Sequence, residues 1–424
     1  MFKILRIIFL LIKDGTWQAL YFLAKPMEVF ILQLIDWRLQ LSTTKKENKS
    51  DKTIILLPDS PGNLGDEAML SSLLSNLEPK PSSIKLWVLG SPAAAHTLPD
   101  NSFLMPEGIS VLAFINSIKR FVFDLRSSDR FILIGADMID GFYSKTGSLK
   151  RILLTSIASR LVEKVSIISA SFNTKAPKRI IKRLKKLQAK ILVRDSLSFQ
   201  RLQSYGLTNI EQCLDIAFLL VPEKTKIVDL INHSLQSLKN KGYAILGINP
   251  NYLISGKKKD AAVLVRLYVQ LIEKLSALDH HLAFLLLVHE YRGNFNDDIL
   301  AKRIYDQLST ETKNRCVLIE PKVTAAELKA LLLSCNFVFT ARMHIAIACL
   351  SQIIPVAAIE YQEKFAGLFA YFDLVDNLLP RQSIEKSEVL ADFIITKIKI
   401  REKIIKKIAE RKSAALSLAK INLA

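Results

Sequence analysis

The sequence predicts an α/β protein built from two doubly wound domains with parallel sheets. Three observations carry this. Ten short apolar runs recur along the chain, they are continuous rather than alternating, and helical patterns separate them. Continuous runs are what strands show when helices cover both faces, and strand–helix alternation favours parallel sheets with right-handed crossovers. The first series of runs is TIILL (53–57), IKLWVL (84–89), RFILIG (130–135), VSIISA (165–170) and AKILV (189–193). The second is YAILGI (243–248), LAFLLLV (282–288), RCVLI (315–319), FVFT (337–340) and PVAAIE (355–360), with helices expected at 262–278 and 325–333. The two series join near 221–231. The expected division is an apolar helical segment over 1–42, a linker over 43–52, a first domain over 53–225, a second over 226–380, and basic helices over 381–424.

Composition narrows the function. The chain has 424 residues, half of them hydrophobic, and a formal charge of +19. Such a balance excludes a wholly disordered chain and favours anionic partners: phosphorylated substrates, anionic lipid, acidic glycan or nucleic acid. Aromatic-rich RNA-binding signatures and Cys/His fingers are absent, so nucleic acid is not expected as a partner. Cys213, Cys316, Cys335 and Cys349 are scattered with no CxxC pair, and read as small buried thiols in a reducing compartment. No metal-ligand cluster or cofactor motif is found, so neither is expected.

Residues 1–41 are apolar but interrupted by Arg6, Lys13, Asp14, Lys25, Glu28 and Asp36. No uncharged run approaches the roughly 18–20 residues a bilayer crossing needs. Two readings stand side by side. Trp17, Tyr21 and Trp37 sit at a headgroup boundary in a peripheral membrane anchor, or the segment is a helix pair packed on the body. The stretch 175–190 (KAPKRIIKRLKKLQAK) is an amphipathic helix, with Ile180, Leu184 and Leu187 on one face and a cationic outer face. The Lys-rich tail carries Ile395, Ile398, Ile405 and Ile408 on a helical stripe.

Four strand ends carry chemistry. In PGNLGDEAML, Gly62 and Gly65 allow a tight turn and close backbone approach, and the helix expected over 66–77 points free N–H groups at an anion. Asp66 and Glu67 are catalytic candidates or first-turn helix acids. In IGADMIDGFY, Asp137 and Asp140 lie past a strand end, where ligands bind in open α/β sheets, and an Asx turn is the alternative. In VRDSLSFQRLQSYG, Arg194 suits a carboxylate or phosphate, or pairs locally with Asp195; Asp215 is a further strand-end acid. In FTARMHIAIACL, Arg342 and His344 place a cation and a titratable imidazole together, and Lys364 adds a third basic group or stays on the surface.

GNLGDEAML, the strand-end GAD, VRDSLSFQRLQSYG, Asp215 and ARMHIAIACLSQIIPVAAIEYQEK, in this order, resemble the polysaccharide pyruvyl transferase family over about residues 60–370. Where that family often has a glycine triplet, this chain has Gly135-Ala136-Asp137. The resemblance implies a GT-B-like fold with two Rossmann-like domains. It also implies transfer of the enolpyruvyl unit of phosphoenolpyruvate onto a sugar, giving a pyruvate ketal and phosphate. On that basis Arg194, Arg342 and Lys364 meet the anionic donor, His344 works as general acid/base, and Asp66 activates a sugar hydroxyl. Gly62, Asn63, Gly65 and Asp137 complete the binding set. The acceptor expected is a saccharide, on a lipid carrier if the N-terminus holds the enzyme at the cytoplasmic face of a membrane. The rivals are a nucleotide-sugar glycosyltransferase of the same fold class and a non-catalytic membrane-associated glycan-binding protein.

Overall fold

The computed structural model describes residues 17–40, 51–58, 62–78, 80–90, 102–106, 111–173, 176–252, 254, 261–293 and 296–424. The chain divides into two units: residues 1–61 with 77–213, and residues 62–76 with 214–424. The segment 62–76, which the sequence assigns to the first domain, therefore clusters with the second. Backbone pairing explains it: Leu64 N–H donates to the His289 carbonyl (3.1 Å) and Tyr291 N–H to the Gly62 carbonyl (2.9 Å).

The first unit holds β1 (Lys52–Leu56), β2 (Ser83–Gly90), β3 (Ser102–Pro106), β4 (Arg130–Ile134), β5 (Lys164–Ala170), β6 (Lys190–Val193) and β7 (Ile210–Gln212). Among the described residues they form one parallel sheet in the order β3-β2-β1-β4-β5-β6-β7. The central strands are buried nearly throughout, as their unbroken apolar runs require. β3 and β7 are short edge strands that the sequence pattern does not reveal.

The second unit holds β8 (Ala244–Ile248), β9 (Leu282–Leu286), β10 (Cys316–Leu318), β11 (Phe337–Thr340), β12 (Val356–Glu360) and β13 (Leu378–Pro380). They too are parallel, in the order β10-β9-β8-β11-β12-β13. Both sheets reverse their strand order beside the first strand of the unit, which is where open α/β sheets bind ligands. The basic tail forms two helices, Ser387–Lys399 and Arg401–Lys420, which bury Leu390, Ala391 and Ile394, and Ile404, Ile408, Ala415 and Ala419; of the expected stripe only Ile408 is buried, while Ile395, Ile398 and Ile405 lie half-buried beside it. All four cysteines are buried free thiols.

The helix Trp17–Gln40 packs on the first unit. Val29 and Leu32 join its core, with Ile35 and Leu39 partly buried against it. The charges that interrupt the apolar run are internal partners. Glu28 pairs with Lys150 of the helix Lys145–Leu161 at 2.7 Å, both side chains at most 1% exposed. Asp36 accepts from Ser156 Oγ and Arg160 Nε, each at 2.8 Å. The linker expected over 43–52 and the first 16 residues lie largely outside the described set; β1 begins at Lys52. No helix among the described residues is long and apolar enough to cross a membrane.

A buried ion pair gains little over an apolar pair, but losing one partner strands a charge. Glu28→Ala is expected to destabilise the protein by about 3–5 kcal/mol, and the double change Glu28→Leu with Lys150→Met to recover most of that. Denaturant unfolding of the three variants measures it.

Candidate functional site

The second unit gathers its polar residues at the carboxyl edge of its sheet. The Gly62–Glu67 turn is built first. Gly62 has φ +110°, and a Cβ there would lie 2.6 Å from Arg292 Cγ. Asn63 caps the helix Leu64–Asn76: its Oδ1 accepts from Gly65 N (2.8 Å) and Asp66 N (3.2 Å). Its Nδ2 donates to Glu290 Oε2 at 2.7 Å, and the two residues form an antiparallel bridge. A Cβ on Gly65 would lie 2.1 Å from His344 Nδ1, so this glycine lets the imidazole lie against the backbone.

Arg342 and His344 follow β11. His344 opens the helix Met343–Ser351 at its second position, and its Nε2 lies 3.5 Å from Asp215 Oδ2. That distance is an electrostatic contact rather than a hydrogen bond, because Nε2 meets no acceptor in bonding geometry among the described residues. Asp215 is itself fixed, its Oδ1 accepting from Ala217 N (2.9 Å) at the head of the 3-10 turn Ile216–Leu219. Lys329 Nζ donates to the Leu220 carbonyl (2.7 Å) just beyond that turn, and burial pulls this amine down to about 8.

Arg342 is not an open anion receptor. Its Nε and Nη2 reach the two oxygens of Asp297 at 3.1 and 2.7 Å, and Nη1 lies 3.8 Å from Glu290. Burial opposes the guanidinium's charge, and Asp297 outweighs it, so Arg342 is held charged above its ordinary value. Burial pushes the Asp297 carboxyl up, while Arg342 and Asn249 oppose the shift. The resulting pair is a fixed bidentate fork.

Sequence reasoning missed HEYRGNFNDD, which supplies His289, Glu290, Arg292 and Asp297 from the end of β9. The signal was available: an apolar strand running directly into His, Glu and Arg, as FVFT runs into RMH. Arg292 donates to Glu290 Oε1 (2.8 Å) and lies 4.0 Å from Asp66 Oδ2. Glu290 is held below its usual range: burial raises it, and Arg292 with Arg342 and Asn63 overcomes that. Lys364 opens the helix Lys364–Tyr371 after β12, its Nζ 5.9 Å from the Tyr361 ring. Burial, with Arg342, His344, Arg292 and Lys364 bearing electrostatically on it, holds His289 well below the ordinary imidazole value. Glu67 has another task. It accepts from Ala325 N (2.8 Å) at the start of the helix Ala325–Leu332, and burial raises its pKa.

So the structure brings Gly62, Asn63, Gly65, Asp66, Arg342, His344 and Lys364 into one unit. Arg194 and Asp137 belong to the other. Arg194 is buried there, its Nε and Nη2 on Ser171 Oγ at 3.2 and 2.9 Å. Asp195 caps the helix Ser196–Ser204 by accepting from Ser198 N. Asp140 forms the Asx turn with Phe142 N (2.8 Å) and also accepts from Asn173 Nδ2 (2.6 Å). Asp137 accepts from the Tyr143 hydroxyl at 3.3 Å. Ala136 takes φ +45°, a left-handed turn adopted without glycine. No group of three or more His, Cys, Asp or Glu among the described residues is placed to hold a metal ion.

Two parallel α/β units with this edge of cations and imidazoles define a GT-B-like protein. The sequence matches the polysaccharide pyruvyl transferase family over residues 63–363, and the chain belongs to that family. No curated protein matches it. Among solved structures it is similar to S. aureus MnaA with UDP (13% identity, TM-score 0.56, covering 88% of this chain and 98% of that one). It is also similar to Anabaena HepE with UDP-glucose (11%, 0.56, 88% and 97%) and to a Listeria monocytogenes protein described as a putative UDP-N-acetylglucosamine 2-epimerase (12%, 0.55, 87% and 94%). At these identities the likeness is one of fold.

Gly65→Ala is expected to force the His344 ring aside and to destabilise the protein by about 1–3 kcal/mol, the usual cost of overpacking. Thermal unfolding, with the His344 imidazole resonance as local reporter, checks both effects.

Proposed function

We propose that the protein transfers the enolpyruvyl unit of phosphoenolpyruvate onto a sugar of a polysaccharide or its lipid-linked precursor, forming a pyruvate ketal and releasing phosphate. The observation that carries this reading is His344, seated against Gly65 with Asp215 on its far nitrogen and stacked on His289, on which Arg342, Arg292 and Lys364 bear. The donor is a small dianionic-to-trianionic molecule, and a field of Arg and Lys suits it.

In this reading protonated His344 gives its proton to the methylene carbon, and the adjacent carbon becomes electrophilic. One sugar hydroxyl adds there. A second displaces phosphate as the carbon–oxygen bond to phosphorus breaks. One hydroxyl proton returns to His344 and the other leaves with phosphate. Asp215 steadies the imidazolium. Asp66, with Arg292 beside it, orients a hydroxyl. Lys364 and Arg292 meet the donor's charges, and Arg342 adds fixed positive potential from its place on Asp297. Arg194 and Asp137 enter the binding set on the resemblance alone.

Phosphate release from phosphoenolpyruvate by purified protein, with and without lipid-linked saccharides, tests this. Release that depends on acceptor and falls roughly a hundred- to ten-thousand-fold in His344→Ala is expected for loss of a proton-transfer group. No release, with binding of a nucleotide sugar instead, would replace the reading with glycosyl transfer; binding of glycan alone would leave a non-catalytic role.

The same reading places the protein against the cytoplasmic face of a membrane. On the helix Trp17–Gln40, Phe30, Leu34 and Trp37 recur at helical spacing and are 50, 44 and 59% exposed, on the face opposite the core contacts. The basic helix Lys178–Leu184 packs nearby, its Arg183 reaching Asp36 at 3.8 Å. Such a pattern suits shallow contact with anionic lipid. Co-sedimentation with vesicles containing phosphatidylglycerol is expected to exceed that with phosphatidylcholine and to fall in Phe30→Ser with Trp37→Ser. Equal sedimentation of both proteins would remove the membrane contact.

A further inference from the structure

His289 is a buried titratable group for which the proposed chemistry has no use. Its side chain is enclosed, and neither ring nitrogen has a hydrogen-bond partner among the described residues. Its ring lies 6.1 Å from that of His344, nearly parallel at 11°. The two rings border a cavity of about 20 Å³ whose other walls are mostly apolar, with Lys329 at its edge. An unpartnered buried polar group costs about 1–3 kcal/mol, and a phenyl ring would fill this place without that cost. A cavity of this size holds about one water molecule.

We propose that this cavity holds one buried water shared by the two imidazoles, and that His289 acts through it as a positioning residue for the protonation of His344. The inference rests on the reading of His344 as the proton-transfer group. Its chemistry is simple. A neutral imidazole carries one N–H and one lone pair, so it can both donate to a water and accept from it. Burial and the surrounding Arg342, His344, Arg292 and Lys364 keep His289 neutral. A water fixed by that ring accepts from His344 when His344 is protonated. It thereby favours the imidazolium together with Asp215, which lies 3.5 Å from Nε2. The charged groups bearing on the pair are Asp215, Arg342, Arg292, Lys364 and Lys329, with Asp297 and Glu290 holding the two arginines.

The test uses full-length protein labelled with ¹⁵N-histidine. In the wild type, His289 is expected to stay uncharged between about pH 6 and 8, the range in which free imidazole titrates, and to show cross-relaxation with a long-lived water. In His289→Phe the His344 titration is expected to move to lower pH by about half a unit or more. His289→Gln, which keeps a donor and an acceptor, is expected to restore part of that shift. Where phosphoenolpyruvate turnover is measurable, His289→Phe is expected to lower kcat roughly tenfold, as loss of a group orienting a catalytic residue does, with KM nearly unchanged. An unmoved His344 titration in folded His289→Phe, or in His289→Gln should the phenylalanine variant not fold, overturns the proposal, as does a missing water signal. A titration shift without turnover in the wild type would instead remove the pyruvyl transfer reading and leave the water-linked pair standing.

Discussion

A buried guanidinium needs its charge and its N–H groups met in good geometry, and Arg342 finds both on Asp297. Much of the site follows from this contact. Asp297 opens the helix Asp297–Gln307 and also accepts from the His289 backbone and from Asn249, so the ends of β8, β9 and β11 are tied to one carboxylate. Glu290, next along from His289, extends the tie to Asn63, and Asn63 caps the helix that carries Gly65. His344 is then held by its neighbours: Gly65 backbone on one side, Asp215 on another, His289 stacked beside it. The fork thus organises the groups around the imidazole.

The sheets were legible because burial on both faces writes a strand as an unbroken apolar run. β1, β4 and β9 need no partner to be recognised. β3, β7 and β13 are short edge strands, and little of their sequence differs from loop. The turn at Gly62 and Gly65 was legible as a close approach, although the sequence does not say what approaches. It is Arg292 at Gly62 and His344 at Gly65, both far away in the chain. The same distance hid Asp297. An arginine in RMH announces itself as a ligand for anions, and its carboxylate lies 45 residues upstream with no fixed spacing to betray it. The acids of GDE divided for a similar reason: Glu67 is used on Ala325, while Asp66 faces Arg292.

The N-terminal helix shows how mean hydropathy can mislead. Glu28 and Asp36 look like interruptions of a lipid-facing run. They are instead the groups that fix the helix on the body, through Lys150 and Arg160. Charges inside an apolar helix thus mark its protein-facing side here, and the apolar residues Phe30, Leu34 and Trp37 mark the outer side. Counting charges along the segment cannot separate these faces, whereas angular position on the helix does.

The assignment of residues 62–76 to the second unit has a consequence for how the molecule can be made and divided. The chain passes from one unit to the other at three places, not one. A fragment beginning at residue 214 would lack the helix that seats His344 and would expose the apolar surface that Leu64, Met69 and Leu73 normally share. During synthesis that helix leaves the ribosome long before the segments it packs against, so the second unit stays incomplete until the chain is nearly finished. Dissection at the apparent linker between the two series of strands would therefore separate the imidazole from the loop shaped to receive it.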